Sequence, residues 1–189
     1  AETDVSIRPG WFYHEEENDK VKTPEKLLDI YFNSVGRNGV LLLNIPPDKE
    51  GLINNSDIAA LKKWKQLRDN IFKKNFAKNA ILESSNGINA GLILDNNDAT
   101  HFTTTGNDTT AIIEIQLKTK ATFNVLQLQE NIRMGQRIEK FALEYWDGKT
   151  WIMAAQGTSI GFKRLLKFST VIARLNPCLA EFGLYFMKV

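Results

Sequence analysis

Residues 39–45 read GVLLLNI. Four apolar residues, Val40 to Leu43, stand in a row between Gly39 and Pro46-Pro47. A short apolar run without polar alternation predicts a strand buried on both faces, the pattern of a parallel sheet with helices outside. Upstream, Thr23-Pro24-Glu25 supplies an N-cap, a proline at the first helical position and an early acid. Leu27, Leu28, Tyr31 and Val35 then recur at helical spacing, and Gly36 fits a C-cap. Further upstream, DVSIRPGWFY reads as a strand that ends in a turn at Pro9-Gly10. Downstream, PPDKEGLINN is a long loop. Ser56 is then expected to cap a second helix carrying Ile58, Leu61, Trp64, Arg68 and Ile71-Phe72. The order is strand, helix, strand, helix: two βα units with no partner strands to complete a sheet.

The pattern changes near residues 73–79. NAILESSN, GLILD, AIIEIQL, NVLQLQE, FALEYWDG, TWIMAAQG and FGLYFMK read as short strands with turn residues between them. EYWDGKTWIMA is a hairpin turning at Asp147-Gly148. Strands at this spacing predict an antiparallel sandwich. The chain therefore divides into residues 1–76, an α/β region, and residues 77–189, an all-β region.

The 189 residues are 43% hydrophobic and 24% charged, ordinary globular composition. Lys plus Arg is 24 and Asp plus Glu is 22, a net charge of +2. That balance, without a long basic run, gives no argument for nucleic acid. No stretch of about 18 apolar residues is present to span a membrane. The single cysteine, Cys178, excludes an internal disulfide and leaves the redox compartment open.

Chemistry-bearing residues crowd into residues 2–14, ETDVSIRPGWFYH. Glu2 is a candidate general acid/base, since glycoside hydrolysis needs two carboxylates; composition alone favours a solvated acid. Arg8 is suited to orient a carboxylate or a sugar hydroxyl, or to form a structural ion pair. Trp11 can stack on a sugar face or fill a core. His14 is a sugar ligand or a loop cap. Asn44, at the end of the apolar run, reaches a ligand or bonds the adjoining loop. His14 and His101 with scattered acids lack metal-ligand spacing. GRNGVLLLNIPP has no phosphate-binding glycine pattern. ILDNNDATHFTTT places Asp95, Asn96, Asn97 and Asp98 in one polar loop, a turn or a calcium loop.

ETDVSIRPGWFYH together with LLDIYFNSVGRNGVLLLNIPPDKEGLI resembles the C-terminal end of the catalytic barrel of α-L-fucosidases, glycoside hydrolase family 29, nearest the branch acting on α-1,3/1,4-linked fucose. This likeness covers residues 2 to about 70. LDNNDATHFTTT, FNVLQLQENIRMGQRIEKFALEYWDGKTW and GTSIGFKRLLKFS are similar to the β-sandwich appended to those enzymes, akin to coagulation-factor/discoidin type C modules. The resemblance implies the C-terminal remnant of a (β/α)8 barrel followed by a discoidin-like sandwich. It also implies a chain cut inside its barrel, with the Asp nucleophile on an earlier strand. It places Glu2 at or near the acid/base of a retaining mechanism, with Arg8, Trp11 and Asn44 as substrate-binding residues. The implied substrate is a fucosylated oligosaccharide or glycoconjugate, with no cofactor, metal, nucleic acid or membrane partner, and a secreted or periplasmic home. The alternative is a non-catalytic carbohydrate-binding or structural sandwich. One departure stands out: only VIARLNP, residues 171–177, lies between KFST and the closing segment that ends in EFGLY, which predicts a strand shortened or lost there.

Overall fold

The computed structural model describes residues 1–173 and, as backbone, residues 182–187. The chain divides into two units, Ala1–Lys74 and Asn75–Val189.

In the first unit, β1 (Glu2–Ser6) leads through a short 3-10 turn (Glu15–Glu17) to α1 (Pro24–Asn33), β2 (Val40–Asn44) and α2 (Asn55–Phe72). Thr23 caps α1 as its sequence predicts, its side chain accepting from the Lys26 amide. Gly36 is not the C-cap. Ser34 is, and its carbonyl also accepts from the amides of Arg37 and Gly39. A β-carbon at Gly39 would lie 3.1 Å from that same carbonyl oxygen. The cap of α2 is Asn54 rather than Ser56: Asn54 Oδ1 accepts from both the amide and the hydroxyl of Ser56. The two helices meet through aromatic rings. Tyr31 lies edge-on to Trp64 and Phe72, and Phe32 stacks on Phe72. Leu27, Leu28 and Phe32 are buried on α1, each contributing about 1.5–3 kcal/mol of apolar burial.

β1 and β2 pair in parallel, from Glu2 opposite Val40 to Ser6 opposite Asn44. Paired residues share a face, so Glu2, Asp4 and Ser6 lie with Val40, Leu42 and Asn44, while Thr3 and Val5 lie with Leu41 and Leu43. Burial on both faces, the reading of GVLLLNI, is not what the structure has. Val40 is 62% exposed and Leu42 54%, whereas Leu41 and Leu43 are half-buried. The apolar run is continuous because both faces are apolar, yet within this unit only one of them is covered.

The second unit is antiparallel. Its strands are β3 (Ile81–Ser84), β4 (Gly87–Ile88), β5 (Thr103–Thr104), β6 (Thr110–Gln116), β7 (Ala121–Leu128), β8 (Lys140–Trp146), β9 (Trp151–Thr158), β10 (Arg164–Ala173) and β11 (Phe182–Met187). One sheet has the order β3-β6-β11-β8-β9. The others are the pairs β7-β10 and β4-β5. Leu117, Ala121, Leu143 and Ala173 form a core, with Ile115 and Tyr145 from the large sheet and Phe123, Leu126 and Phe168 from β7 and β10 packed against it. Alternation explains this: on β6, Ala111 and Ile113 point inward and are buried.

The β8–β9 hairpin turns at Asp147-Gly148. Asp147 accepts from the amides of Lys149 and Thr150, and Gly148 takes a φ of 108° that favours glycine. GLILD, expected as a strand, is instead a 3-10 helix, Ala90–Leu94. Asn89 enters it in the left-handed region at φ 59°, which turns the backbone away from any ladder. The strand expected to be shortened near 171–177 falls partly on residues 174–181, outside the described residues.

Candidate functional site

The C-terminal ends of β1 and β2 converge on one polar knot. Ser6 Oγ donates to the Gly10 carbonyl at 2.6 Å and accepts from the Arg8 amide and from Asn44 Nδ2. Asn44 Nδ2 also donates to the Trp11 carbonyl at 2.9 Å. The parallel ladder continues one residue further, with the Ile7 amide donating to the Asn44 carbonyl. Asn44 therefore fixes where the loop after the Pro9-Gly10 turn leaves the sheet. From that loop Trp11 and Phe12 project into solvent, 54% and 78% exposed. A large ring held out on a braced backbone is a preformed face for an apolar ligand surface.

Arg8 lies behind the loop and is completely buried. Its Nε and NH2 donate to Asp57 Oδ2 at 3.1 and 3.0 Å, NH1 donates to the His14 carbonyl, and NH2 also donates to Asn18 Oδ1. The guanidinium lies 4.6 Å from the Tyr13 ring centroid. Arg8, expected to bind substrate, here takes the structural ion pair that its sequence reading also allowed. Its donors are spent inside the unit, and no part of it reaches solvent.

Glu2 is set apart. It shares a face with Asn44 but begins the strand whose other end carries the knot, four residues away. At a rise of about 3.3 Å per residue this is on the order of 13 Å. The two carboxylates of a retaining glycosidase lie about 5–5.5 Å apart around one sugar. Trp11 and Asn44 are thus brought together, Arg8 stands behind them, and Glu2 does not join them. The residue that sequence reasoning missed is Asp57. In the first turn of α2 it looks like an ordinary acid beside a helix N-terminus, and nothing local links it to an arginine 49 positions earlier.

The polar loop of the second unit closes on itself. Asp95 accepts from the Asn97 amide and the Thr100 hydroxyl, and Asn97 Oδ1 accepts from the Ala99 amide, the pattern of successive Asx turns. Among the described residues no three His, Cys, Asp or Glu side chains group as metal ligands, and no helix is long and apolar enough to cross a membrane.

The family profile Alpha-L-fucosidase matches residues 1–67, the unit that carries this knot. Alpha-L-fucosidase 1 of Arabidopsis thaliana is 38% identical over 100% of this chain and 41% of its own length. The chain thus matches the C-terminal portion of α-L-fucosidases. A curated α-L-fucosidase relative from Oryza sativa subsp. japonica is 39% identical over 98% of the chain. The solved structure of a Ruminococcus gnavus GH29 fucosidase in complex with fucose superposes with a TM-score of 0.87 at 31% identity, covering all of this chain and 38% of that one. The chain spans about two fifths of the length of these fucosidase relatives.

Proposed function

We propose that this chain is the C-terminal portion of a retaining α-L-fucosidase that removes terminal α-1,3/1,4-linked L-fucose from glycans, with Trp11 forming one wall of the fucose pocket. The observation that carries the reading is the bond from Asn44 Nδ2 to the Trp11 carbonyl. It sets an exposed indole at the C-terminal end of two parallel strands, and that end is where (β/α)8 barrels place their active sites. The open face of β1 and β2, with Val40 and Leu42, suits the interior of such a barrel.

Retaining chemistry needs one carboxylate to attack the anomeric carbon and another to protonate the leaving oxygen before water releases the sugar. Glu2 begins β1, on the order of 13 Å along the strand from the end where the Trp11 loop leaves, so we assign the proton donor to another carboxylate of the completed barrel. The second unit we read as a discoidin-like sandwich appended to the barrel, and the whole as a secreted enzyme. The chain made alone should not turn over substrate, because two parallel strands do not close a barrel of eight. Nitrophenyl α-L-fucoside offered to the purified 189-residue chain and to the same chain fused behind the barrel segment of a relative tests this. Turnover by the fusion only supports the reading. A fusion that folds, retains its own carboxylates and stays inactive counts against it.

A further inference from the structure

We propose that Asp57 is a positioning residue for the sugar-facing loop: through Arg8 it fixes the backbone from Pro9 to His14 and thereby the placement of the Trp11 ring. This rests on the reading of Trp11 as a pocket wall.

Both side chains of the Asp57–Arg8 pair are 0% exposed. Asp57 spends one oxygen, Oδ2, on two N–H groups of Arg8, while Oδ1 has no hydrogen-bond partner among the described residues. The carboxylate therefore serves Arg8 alone. A buried ion pair is a poor means of stabilising a fold, since an apolar pair of similar size often does as well or better. What an apolar pair cannot do is donate. With its charge balanced by Asp57, Arg8 remains buried and directs NH1 to the His14 carbonyl and NH2 to Asn18.

The loop is thus pinned at both ends, by Asn44 at the Trp11 carbonyl and by Arg8 at the His14 carbonyl. Tyr13, between them, lies against the guanidinium, and its hydroxyl accepts from Asn18 Nδ2 and from Nδ2 of Asn54, the cap of the helix that carries Asp57. The first turn of α2 and the aromatic loop are one polar assembly. Exposed rings on a loop tip without such bracing would sample many positions on the nanosecond scale.

The test uses the 189-residue chain with 5-fluorotryptophan, which gives one fluorine line for each of Trp11, Trp64, Trp146 and Trp151, assigned by single Trp→Phe replacements. In Asp57→Asn, the Trp11 line should narrow and move toward free fluorotryptophan, while Trp64, on the same helix as Asp57, keeps its line. Arg8→Lys, which keeps a cation beside Asp57 but cannot reach His14 at the same time, should move the Trp11 line in the same direction. A Trp11 line unchanged in both variants overturns the proposal. So does a Trp64 line that moves with it in both, since the pair would then only hold the unit together. If Asp57→Asn unfolds the chain, Arg8→Lys alone decides by the same two outcomes. Titrating L-fucose into the unsubstituted chain separates the underlying reading. A shift of the Trp11 line supports the pocket; no shift removes the sugar from the account while leaving the ordering result standing.

Discussion

Asp57 and Arg8, 49 residues apart, meet with both side chains shut off from solvent, one carboxylate oxygen taking two guanidinium N–H groups at 3.0 and 3.1 Å. Removing the carboxylate alone leaves an arginine buried without its counter-charge, which costs about 3–5 kcal/mol. Asp57→Leu should therefore strongly destabilise the first unit in urea unfolding. The double variant Arg8→Met with Asp57→Leu, which removes both charges, should be less destabilised than the single one. A double variant as unstable as Asp57→Leu would show that the His14 and Asn18 bonds, rather than the unpaired charge, set the loss.

Glu130 has a comparable task in the second unit. It is nearly buried, and it accepts three backbone amides: Arg137 and Ile138 on Oε1 at 2.8 and 2.9 Å, and Gly161 on Oε2 at 2.6 Å. The Glu130 amide returns a bond to the Gly161 carbonyl. In Glu130→Gln one side of the clasp becomes an NH2 group facing an amide N–H. A buried donor left unsatisfied costs about 1–3 kcal/mol. The unfolding midpoint of the second unit should fall accordingly, with Glu130→Asp also failing because its shorter chain cannot span the loops. A midpoint unchanged in Glu130→Gln would mean that solvent reaches these amides.

Gly157 on β9 stands opposite Phe141 on β8, and the ring occupies the space a side chain would take. A β-carbon at Gly157 would lie 2.6 Å from the tip of that ring, which is 3% exposed and has nowhere to go. Gly157→Ala should cost about 1–3 kcal/mol by overpacking. Phe141→Leu combined with Gly157→Ala should recover part of it. Absence of that recovery in thermal unfolding would count against the ring as the cause.

Asp69, on the exposed face of α2, is held below the usual carboxylate range, first by its hydrogen bond from Lys65 and then by that from Arg68. A depressed carboxyl contributes stability that is present above its unfolded pKa and lost as pH falls through the folded one. The Asp69 carboxyl resonance should titrate at lower pH than that of a free Asp. Replacing Lys65 by Met should move its midpoint upward, and added salt should shrink the difference, as expected for an exposed pair.

The sequence made some of this legible and hid the rest for physical reasons. Signals that act within a few residues were readable. Thr23-Pro24-Glu25 starts α1, and Asp147-Gly148 turns the β8–β9 hairpin. Neighbouring alternatives for the same job were not separable: Asn54 and Ser56 are both good caps, and the one that wins does so by accepting from the other. GLILD carries strand-like residues, but the left-handed Asn89 before it decides the path. The knot at Ser6, Trp11 and Asn44 is half visible: Trp11 and Asn44 are chemistry-bearing types, but nothing local in the sequence shows that Ser6 joins them at one strand end while Glu2 starts the other. The Arg8–Asp57 pair was invisible, since a contact across 49 residues leaves no local pattern.

Glu2 and Trp11 give the sharpest division, and it is tested in a chain whose barrel has been completed. If Glu2 were the proton donor, Glu2→Ala would slow fucosides with poor leaving groups far more than aryl fucosides, because only the former need the proton. Azide would then rescue the slow second step, since a small anion attacks without a general base. The geometry predicts otherwise. Glu2 opens β1, on the order of 13 Å along the strand from Ser6, beyond which the loop carrying Trp11 begins. A proton donor must lie within hydrogen-bond reach of the glycosidic oxygen. Glu2→Ala should therefore slow both substrate types alike and modestly, with no azide rescue. Trp11→Ala should raise KM on both, because it removes a contact made to fucose whatever the leaving group. A selective loss on poor leaving groups with azide rescue would return Glu2 to the acid/base role and would require the sugar to bind deep in the barrel, away from the Trp11 loop.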